Sequence, residues 1–103
     1  MADEYTLALP AAALAIDFPA VITCFEHSVG VALYVVERQV TSRSYSFTST
    51  PRSEWPEDVG ISADNKEWYV AFYLAIPAQR LAILTALAHC LREAGVTGTF
   101  EEI

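Results

Sequence analysis

Four side chains of this sequence could bind a metal ion through sulfur or imidazole nitrogen: Cys24, His27, His89 and Cys90. Cys24 and His27 are three residues apart, a spacing that zinc ligands use on a helix. His89 and Cys90 are adjacent, and a helix turns adjacent side chains about 100° apart, which keeps them from facing one ion. We therefore expect no metal and no other cofactor. A Cys24–Cys90 disulfide would need two helices packed side by side, and because no export signal is visible we expect free, buried thiols.

Residue patterns for nucleophilic catalysis are also weak. Serines are frequent, but none lies in the Gly-x-Ser-x-Gly turn of hydrolases. Cys24 falls within an apolar predicted helix, where thiols are usually unreactive. None of the four glycines opens a helix with a lysine behind it, as a phosphate-binding loop requires. We predict that the protein is not an enzyme.

The acidic residues are more informative, because several of them surround Trp55. Between residues 54 and 67, Lys66 is the one cation opposing five carboxylates. Tryptophan is frequent at the energetic centre of interfaces, and carboxylates around it suit a basic partner. The alternative is a solvated loop with Trp55 folded back on the core. The candidate binding residues of this segment are Glu54, Trp55, Glu57, Asp58, Asp64 and Glu67.

A second candidate surface is the sheet face turned away from the helices. In the strand predicted over 67–76, alternation places Trp68, Val70, Phe72 and Leu74 towards the helices. Tyr34, Tyr69 and Tyr73 would then point outward, and tyrosine offers a large contact area with a polar tip. Such a face is either solvated or an interface with a partner or a second copy. The other expected outward residues are Val36, Ser44, Ser46, Thr48, Thr97 and Thr99.

The chain ends carry another acidic group. Asp3, Glu4, Glu101 and Glu102 would meet if the first and last strands pair antiparallel, as they do in ferredoxin-like folds. The alternative is that these residues are charged, frayed termini.

Composition excludes several functional classes. The chain has 13 acidic and 6 basic residues, a net charge of −7 and 53% apolar residues. This charge argues against a nucleic-acid partner, since phosphate binding needs clustered Lys and Arg. No apolar run reaches the ~18 residues of a membrane helix. The acidic start is unlike a secretory signal, so we expect a cytoplasmic protein. The length fits one domain over 1–103.

The second half of the chain has the clearer elements. Pro77 suits the first turn of a helix after the strand over 67–76. Leu81, Leu84, Ala88 and Leu91 share one stripe of that predicted helix. Gly95 suits the helix end, and a last strand is predicted over 96–103. Residues 8–16 repeat 75–83 at six of nine positions, which suggests the same strand–proline–helix start in the first half.

The first half is predicted from weaker patterns. A strand covers 5–9, and a broken helix follows, interrupted at Phe18–Pro19, with Asp17 as a possible cap. Strands over 31–38 and 43–50 are close enough for a hairpin. Residues 51–65 are predicted as one long loop, which is more often functional than accidental in a small domain.

The order β-α-β-β-loop-β-α-β predicts a two-layer α+β sandwich. We expect an antiparallel or mixed sheet of about five strands with two helices on one face, a ferredoxin-like variant with an extra hairpin strand. A plain meander would reverse the strand over 67–76 relative to the ferredoxin-like plan, unless the long loop crosses the sheet and restores its direction.

Two functions remain open. The first is a small acidic protein that neutralises a basic protein partner, such as a toxin or an enzyme, as bacterial immunity proteins and inhibitors do. The second is a ferredoxin-like homodimer that binds a small ligand, or acts as a small enzyme, between sheet and helices. Cys24, His27 and His89 would be its polar groups.

Overall fold

The computed structural model describes residues 3–10, 16–50 and 56–103. Within these ranges two helices pack on a six-stranded antiparallel sheet, which confirms the predicted α+β sandwich. The elements in chain order are β1 (Asp3–Ala8), α1 (Phe18–Ser28), β2 (Tyr34–Gln39), β3 (Ser42–Ser46), β4 (Val59–Ala63), β5 (Glu67–Phe72), α2 (Pro77–Glu93) and β6 (Glu101–Glu102).

The sheet order is β2-β3-β4-β5-β1-β6. β1 lies between β5 and β6 and runs antiparallel to both, as the ferredoxin-like plan requires. In the ferredoxin-like plan one strand lies on the other side of β5. Here a three-stranded meander, β2-β3-β4, takes its place. The first and last strands therefore pair antiparallel, one of the two arrangements that the sequence leaves open.

β4 corrects the prediction of an unbroken loop over 51–65. Val59 and Ile61 are buried, and Gly60 and Ser62 alternate with them. The strand is short and contains glycine, which weakens its sequence signal. Because β4 adds one reversal of direction to the meander, β5 runs antiparallel to β1 without a loop crossing the sheet.

The first helix begins where the sequence suggests. The Asp17 carboxylate accepts a hydrogen bond from the Ala20 amide at 3.4 Å, and Pro19 lies in the first turn. Phe18, Ile22 and Phe25, spaced three and four residues apart, are buried on one side of the helix. The first part of the predicted broken helix, before Phe18, falls largely on residues 11–15, which lie outside the described residues.

The second helix begins at Pro77 and ends before Gly95, whose φ of 93° needs glycine. Its buried residues include Ile83, Leu87 and Leu91. The predicted core residue Leu81 is instead 68% exposed. Residues 81–88 carry no charge, so the sequence pattern does not indicate which side of α2 is buried. Tertiary packing determines the buried side.

A disulfide joins the two helices, which corrects the expectation of free thiols. Cys24 of α1 and Cys90 of α2 are bonded, with their Cα atoms 5.8 Å apart. The helices do pack side by side, the condition that the sequence could not establish. The bond closes a long stretch of chain, since the two residues are 66 positions apart.

The core lies between the sheet and the helices. The Phe18 ring of α1 stacks on Trp68 of β5 with centroids 5.1 Å apart, and Phe25 packs against Tyr45 of β3. Val70 and Phe72 complete the inward side of β5. β5 ends at Phe72, so the expected inward residue Leu74 lies beyond the strand and is exposed.

Besides β5, three predicted strands are shorter than expected. β2 begins at Tyr34 rather than at 31, β3 ends at Ser46, and β6 holds two residues of the predicted 96–103. The β2–β3 hairpin is present, with Gln39 opposite Ser42. Within the described ranges, no helix has the length and apolar character needed to cross a membrane.

Candidate partner-binding face

The face of the sheet opposite the helices carries the candidate site, and we call it the open face. Strand register places Tyr69 of β5 beside Ser62 of β4 on one side and Thr6 of β1 on the other, with Glu101 of β6 beyond Thr6. The next row holds Ser44, Gly60, Ala71 and Glu4. Small side chains therefore flank Tyr69 on the open face, and the carboxylates of Glu4 and Glu101 lie towards its β6 edge.

Tyr69 and Glu4 interact directly on this face. The Tyr69 hydroxyl donates a hydrogen bond to a Glu4 carboxylate oxygen. Partial desolvation, this hydrogen bond and the Glu4 charge raise the pKa of Tyr69 to about 12, and the charge of Glu67 adds to the effect. Both predicted residues, Tyr69 and Glu67, thus belong to one electrostatic group with Glu4.

Tyr73 and Glu57 form the neighbouring part of the face. Desolvation raises the pKa of Tyr73, and the charges of Glu57 and Glu4 raise it further. A Cβ placed on Gly60 would lie 3.8 Å from Glu57 Oε2 and 4.0 Å from the Tyr73 ring. The predicted residues Glu57 and Tyr73 therefore both lie beside Gly60 of β4.

A groove runs across the open face at this point. Its volume is about 220 Å³, and its lining includes Glu37, Glu57, Gly60, Tyr69, Ala71 and Tyr73. Ligand pockets for drug-sized molecules typically hold roughly 300–1,000 Å³. The groove is thus sized for one side chain of a partner rather than for a whole small molecule.

Arg43 is the one cation among the described residues that line the groove. Its guanidinium donates to the carbonyl oxygens of Gln39 and Ser42 and lies over the Phe18 ring, 5.5 Å from the centroid. Strand register also places Arg43 beside Ile61, a buried residue. The Arg43 charge is held at the β2–β3 turn and at the helix side of the sheet.

Asp58 does not join this surface, contrary to the prediction. Its side chain is buried, with 2% exposure. The carboxylate accepts hydrogen bonds from the Phe47 amide at 2.8 Å and from the Ser46 hydroxyl at 3.3 Å. Its backbone oxygen accepts from the Tyr73 amide. Asp58 holds the loop before β4 against the end of β3, which is a structural role.

Asp64 and Tyr34 lie apart from the groove. The Asp64 carboxylate accepts hydrogen bonds from the amides of Lys66 and Glu67, and these bonds lower its pKa. It shapes the β4–β5 turn, at the opposite end of these strands from Val59 and Phe72. Tyr34 is exposed on the edge strand β2, opposite Ser46. Neither residue lines the groove.

Glu54 and Trp55 lie outside the described residues, so their proposed part in binding stays a prediction.

Among the residues expected to point outward, Ser44 and Ser46 are buried despite their position on the open face, and the Ser46 hydroxyl donates a hydrogen bond to Asp58. Thr97 and Thr99 are exposed but precede β6 instead of forming a strand.

The acidic termini are brought together by the β1–β6 pair. Tyr5 lies opposite Glu102 and Thr6 opposite Glu101, so Glu101 shares the open face with Tyr69 while Glu102 points to the other side. Asp3 accepts a hydrogen bond from Arg80 of α2 at 2.8 Å. Glu4 and Glu101 extend the acidic border of the open face.

The sequence did not identify Glu37 and Gly60 as part of this site. Alternation in β4 could have placed Gly60 outward, had that strand been recognised. A β-bulge between Val35 and Glu37 shifts the register of β2. Simple alternation along the sequence therefore does not predict which face of the sheet Glu37 lies on.

The thiols and imidazoles do not gather into one site. Cys24 and Cys90 are bonded to each other and line a groove between the helices, together with Ile16, Ala20 and Glu93. His89 lies near Glu93, with Nε2 3.8 Å from a carboxylate oxygen. No cluster of three or more His, Cys, Asp or Glu residues suited to a metal occurs within the described part of the chain.

Comparison with protein families, with curated proteins and with solved structures finds no match. The architecture is that of an α+β sandwich whose first strand lies between the last strand and the strand before the second helix. The function is therefore inferred from the open face itself.

Proposed function

We propose that this protein is a small non-enzymatic binding protein that occludes a basic protein partner, such as a toxin or an enzyme, with its open face. The observation that carries the proposal is the hydrogen bond of Tyr69 to Glu4 beside a groove that Tyr69, Tyr73 and Glu57 line. Immunity proteins and inhibitors share the small size and the negative charge, and this analogy rests on those two properties alone.

The chemistry of the open face suits a cationic partner. Carboxylates at its border steer a basic surface towards it and speed the encounter at low salt. Tyrosines supply contact area at low entropic cost and keep a polar tip for hydrogen bonding. A lysine or arginine side chain of the partner fits the groove, where its charge meets Glu57 and its stem packs on Tyr73.

The expectation of a cytoplasmic location is part of this proposal, and the Cys24–Cys90 disulfide weighs against it. Disulfides persist mainly in oxidising compartments. The cysteines are trapped by acid-quenched extraction from the host, then alkylated and analysed by mass spectrometry. Their state decides between a cytoplasmic location and an oxidising compartment. Unmodified, bonded cysteines would favour an oxidising compartment, and fully alkylated cysteines would favour the cytoplasm.

The test of the function is affinity capture from the host with the full chain, followed by binding measurements on the captured protein. A Glu57→Lys/Tyr73→Ala variant should lose binding at least about 100-fold, as interface centres do on truncation and charge reversal. Glu102→Lys is the matched control, because Glu102 points away from the open face. A Trp55→Ala variant measures separately the contribution of the predicted loop.

An acidic captured protein, or equal affinities for the double variant and the control, would contradict the proposal. A basic captured protein whose binding is lost in the double variant alone would support it.

A further inference from the structure

The two cysteines of the disulfide between α1 and α2 differ in exposure. Cys24 is partly exposed, whereas Cys90 is buried, with 2% exposure. Both residues line a groove of about 460 Å³ between the helices, which we call the interhelix groove. This volume lies within the roughly 300–1,000 Å³ typical of sites for small molecules. A small molecule in the interhelix groove therefore meets the disulfide at Cys24 rather than at Cys90.

The Ser28 hydroxyl lies beside the buried sulfur atom. Its oxygen is 3.4 Å from Cys90 Sγ, a contact between residues 62 positions apart in sequence. The same hydroxyl donates a hydrogen bond to the Cys24 carbonyl oxygen at 2.8 Å within α1. Rotation about the Cβ–Oγ bond of Ser28 turns its proton from that carbonyl towards the sulfur. Ser28 can thus stabilise negative charge on Cys90 Sγ, and hydrogen bonds to charged groups are the stronger ones.

The charged groups that line the interhelix groove are acidic. They are Asp17 and Glu93, and no lysine, arginine or histidine joins them among the described lining residues. His89 lies 3.8 Å from Glu93 on α2 but outside this lining. The other described lining residues are apolar or belong to the disulfide. An anionic molecule is therefore repelled from the disulfide, whereas a cationic one is attracted.

We propose that Cys24 is a site of thiol exchange, at which a small cationic or neutral thiol forms a mixed disulfide with the protein. The thiolate sulfur attacks Cys24 Sγ, so that a new sulfur–sulfur bond forms and the Cys24–Cys90 bond breaks. The electron pair of the broken bond leaves with Cys90 Sγ, where the Ser28 hydroxyl stabilises the thiolate until it takes a proton from water. Access sets this direction, since exchange depends on which sulfur the attacking thiolate reaches.

A second thiol molecule completes the reduction. Its thiolate attacks the sulfur of the thiol bound to Cys24, which releases Cys24 as a thiolate. Two thiols are then oxidised to one small disulfide, while the protein disulfide is reduced to two thiols. The bond between α1 and α2 thus opens in the folded protein wherever such thiols are abundant. The interhelix groove lies on the helix side of the sheet, so this inference goes beyond the proposed function of the open face and does not depend on it.

Peptide mapping of the folded, oxidised protein after brief exposure to cysteamine tests the inference. The reaction is quenched with acid, free thiols are alkylated, and mass spectrometry of the digest locates the bound cysteamine. The mixed disulfide should be at least about tenfold more frequent on Cys24 than on Cys90, because access favours Cys24.

The role of Ser28 has its own pair of variants. Ser28→Ala should slow the exchange at least about threefold, because the leaving thiolate of Cys90 loses its hydrogen-bond donor. Thr23→Val is the matched control, since it removes a hydroxyl that donates to the Pro19 carbonyl of the same helix at 2.9 Å. Circular dichroism and thermal melts check that both variants are folded.

The charge of the thiol gives an independent readout. Each exchange rate is divided by the rate of the same thiol with an uncharged small disulfide, which removes differences in nucleophilicity. Cationic cysteamine should then react at least about threefold faster than anionic mercaptoacetate at low salt. Added salt and Glu93→Gln should both reduce this preference. Glu37→Gln changes the net charge equally on the open face and should reduce it less.

A mixed disulfide found mainly on Cys90 would overturn the inference. Exchange that proceeds only at the rate of global unfolding, as shown by a steep rise with urea, would overturn it as well. Equal exchange rates for Ser28→Ala and Thr23→Val would contradict stabilisation of the leaving thiolate by Ser28. Rapid exchange on Cys24 in the folded protein, slowed by Ser28→Ala alone, would support the inference.

Discussion

The Tyr69 hydroxyl donates its hydrogen bond to the Glu4 carboxylate, which joins β5 to β1 on the open face across 65 residues of sequence. The same carboxylate raises the pKa of Tyr73, whose other acidic neighbour is Glu57. Two tyrosines and two glutamates of the open face therefore share one electrostatic environment. It is dominated by negative charge and lies around a groove sized for a single side chain.

The first prediction concerns the titration of Tyr69. Its pKa is raised from 10.0 to about 12 by desolvation and by Glu4. The folded protein thus keeps a proton that the unfolded chain releases between these values. The stabilising contribution is full below pH 10 and is lost as the pH rises towards 12. Glu4→Gln should lower the pKa of Tyr69, as followed by phenolate absorbance. Glu102→Gln on the opposite side should leave it unchanged, and equal effects of the two variants would contradict the assignment.

The second prediction concerns the disulfide between α1 and α2. Cross-linking residues 66 positions apart restricts the unfolded chain and should contribute about 4 kcal/mol by the chain-entropy estimate. Urea unfolding with and without a reductant measures this difference. The Cys24→Ser/Cys90→Ser variant should unfold at the lower midpoint under both conditions. A midpoint that the reductant does not change in the wild-type protein would show that no disulfide forms.

The third prediction separates a structural acid from its neighbour on the open face. Asp58→Ala leaves the partly buried Phe47 amide without its acceptor and should cost about 2 kcal/mol of unfolding free energy. Asp58→Asn should cost less, because its side-chain oxygen can still accept. Glu57→Ala should change stability by less than about 0.5 kcal/mol, as surface substitutions do. A similar loss for Asp58→Ala and Glu57→Ala in urea unfolding would contradict these roles.

The fourth prediction fills the groove without disturbing the sheet. Gly60 has ordinary strand geometry, and a Cβ there meets Glu57 and Tyr73 at van der Waals distance. Gly60→Leu should therefore fold normally and weaken binding of the basic partner at least about tenfold by occupying the groove. Calorimetric titration measures the affinity, and a thermal melt checks the fold. Full affinity in a folded Gly60→Leu protein would exclude the groove as the binding centre.

Much of the fold follows from local signals. Alternation in β5, the Asp17 cap, Pro77 and Gly95 all act within a few residues, and each confirms its predicted element. β4 escapes recognition because Gly60 interrupts a five-residue strand that follows a sequence with two prolines, Pro51 and Pro56. The buried side of α2 differs from the predicted stripe because Leu81 and Ile83 are equally apolar, so packing against the sheet makes the choice.

The candidate site is less predictable, because it depends on strand register. The sequence identifies Glu57, Glu67, Tyr69 and Tyr73, but it gives no distance between them. It also assigns Asp58 to the surface, since a buried carboxylate that accepts a backbone amide looks the same in sequence as an exposed one. The Cys24–Cys90 disulfide is missed for a similar reason. Only the packing of α1 on α2 brings the two sulfur atoms together, and the sequence does not show that packing.

The most direct test of the central claim compares Glu101→Gln with Glu102→Gln in binding to the basic protein that the wild-type chain captures from its host. These adjacent residues point to opposite sides of the sheet, so they differ in face and not in charge or position along the chain. If the open face binds the partner, Glu101→Gln weakens binding, the effect fades at high salt, and Glu102→Gln binds like the wild type. Equal affinities for both variants, or binding that ignores salt, would contradict recognition by the open face.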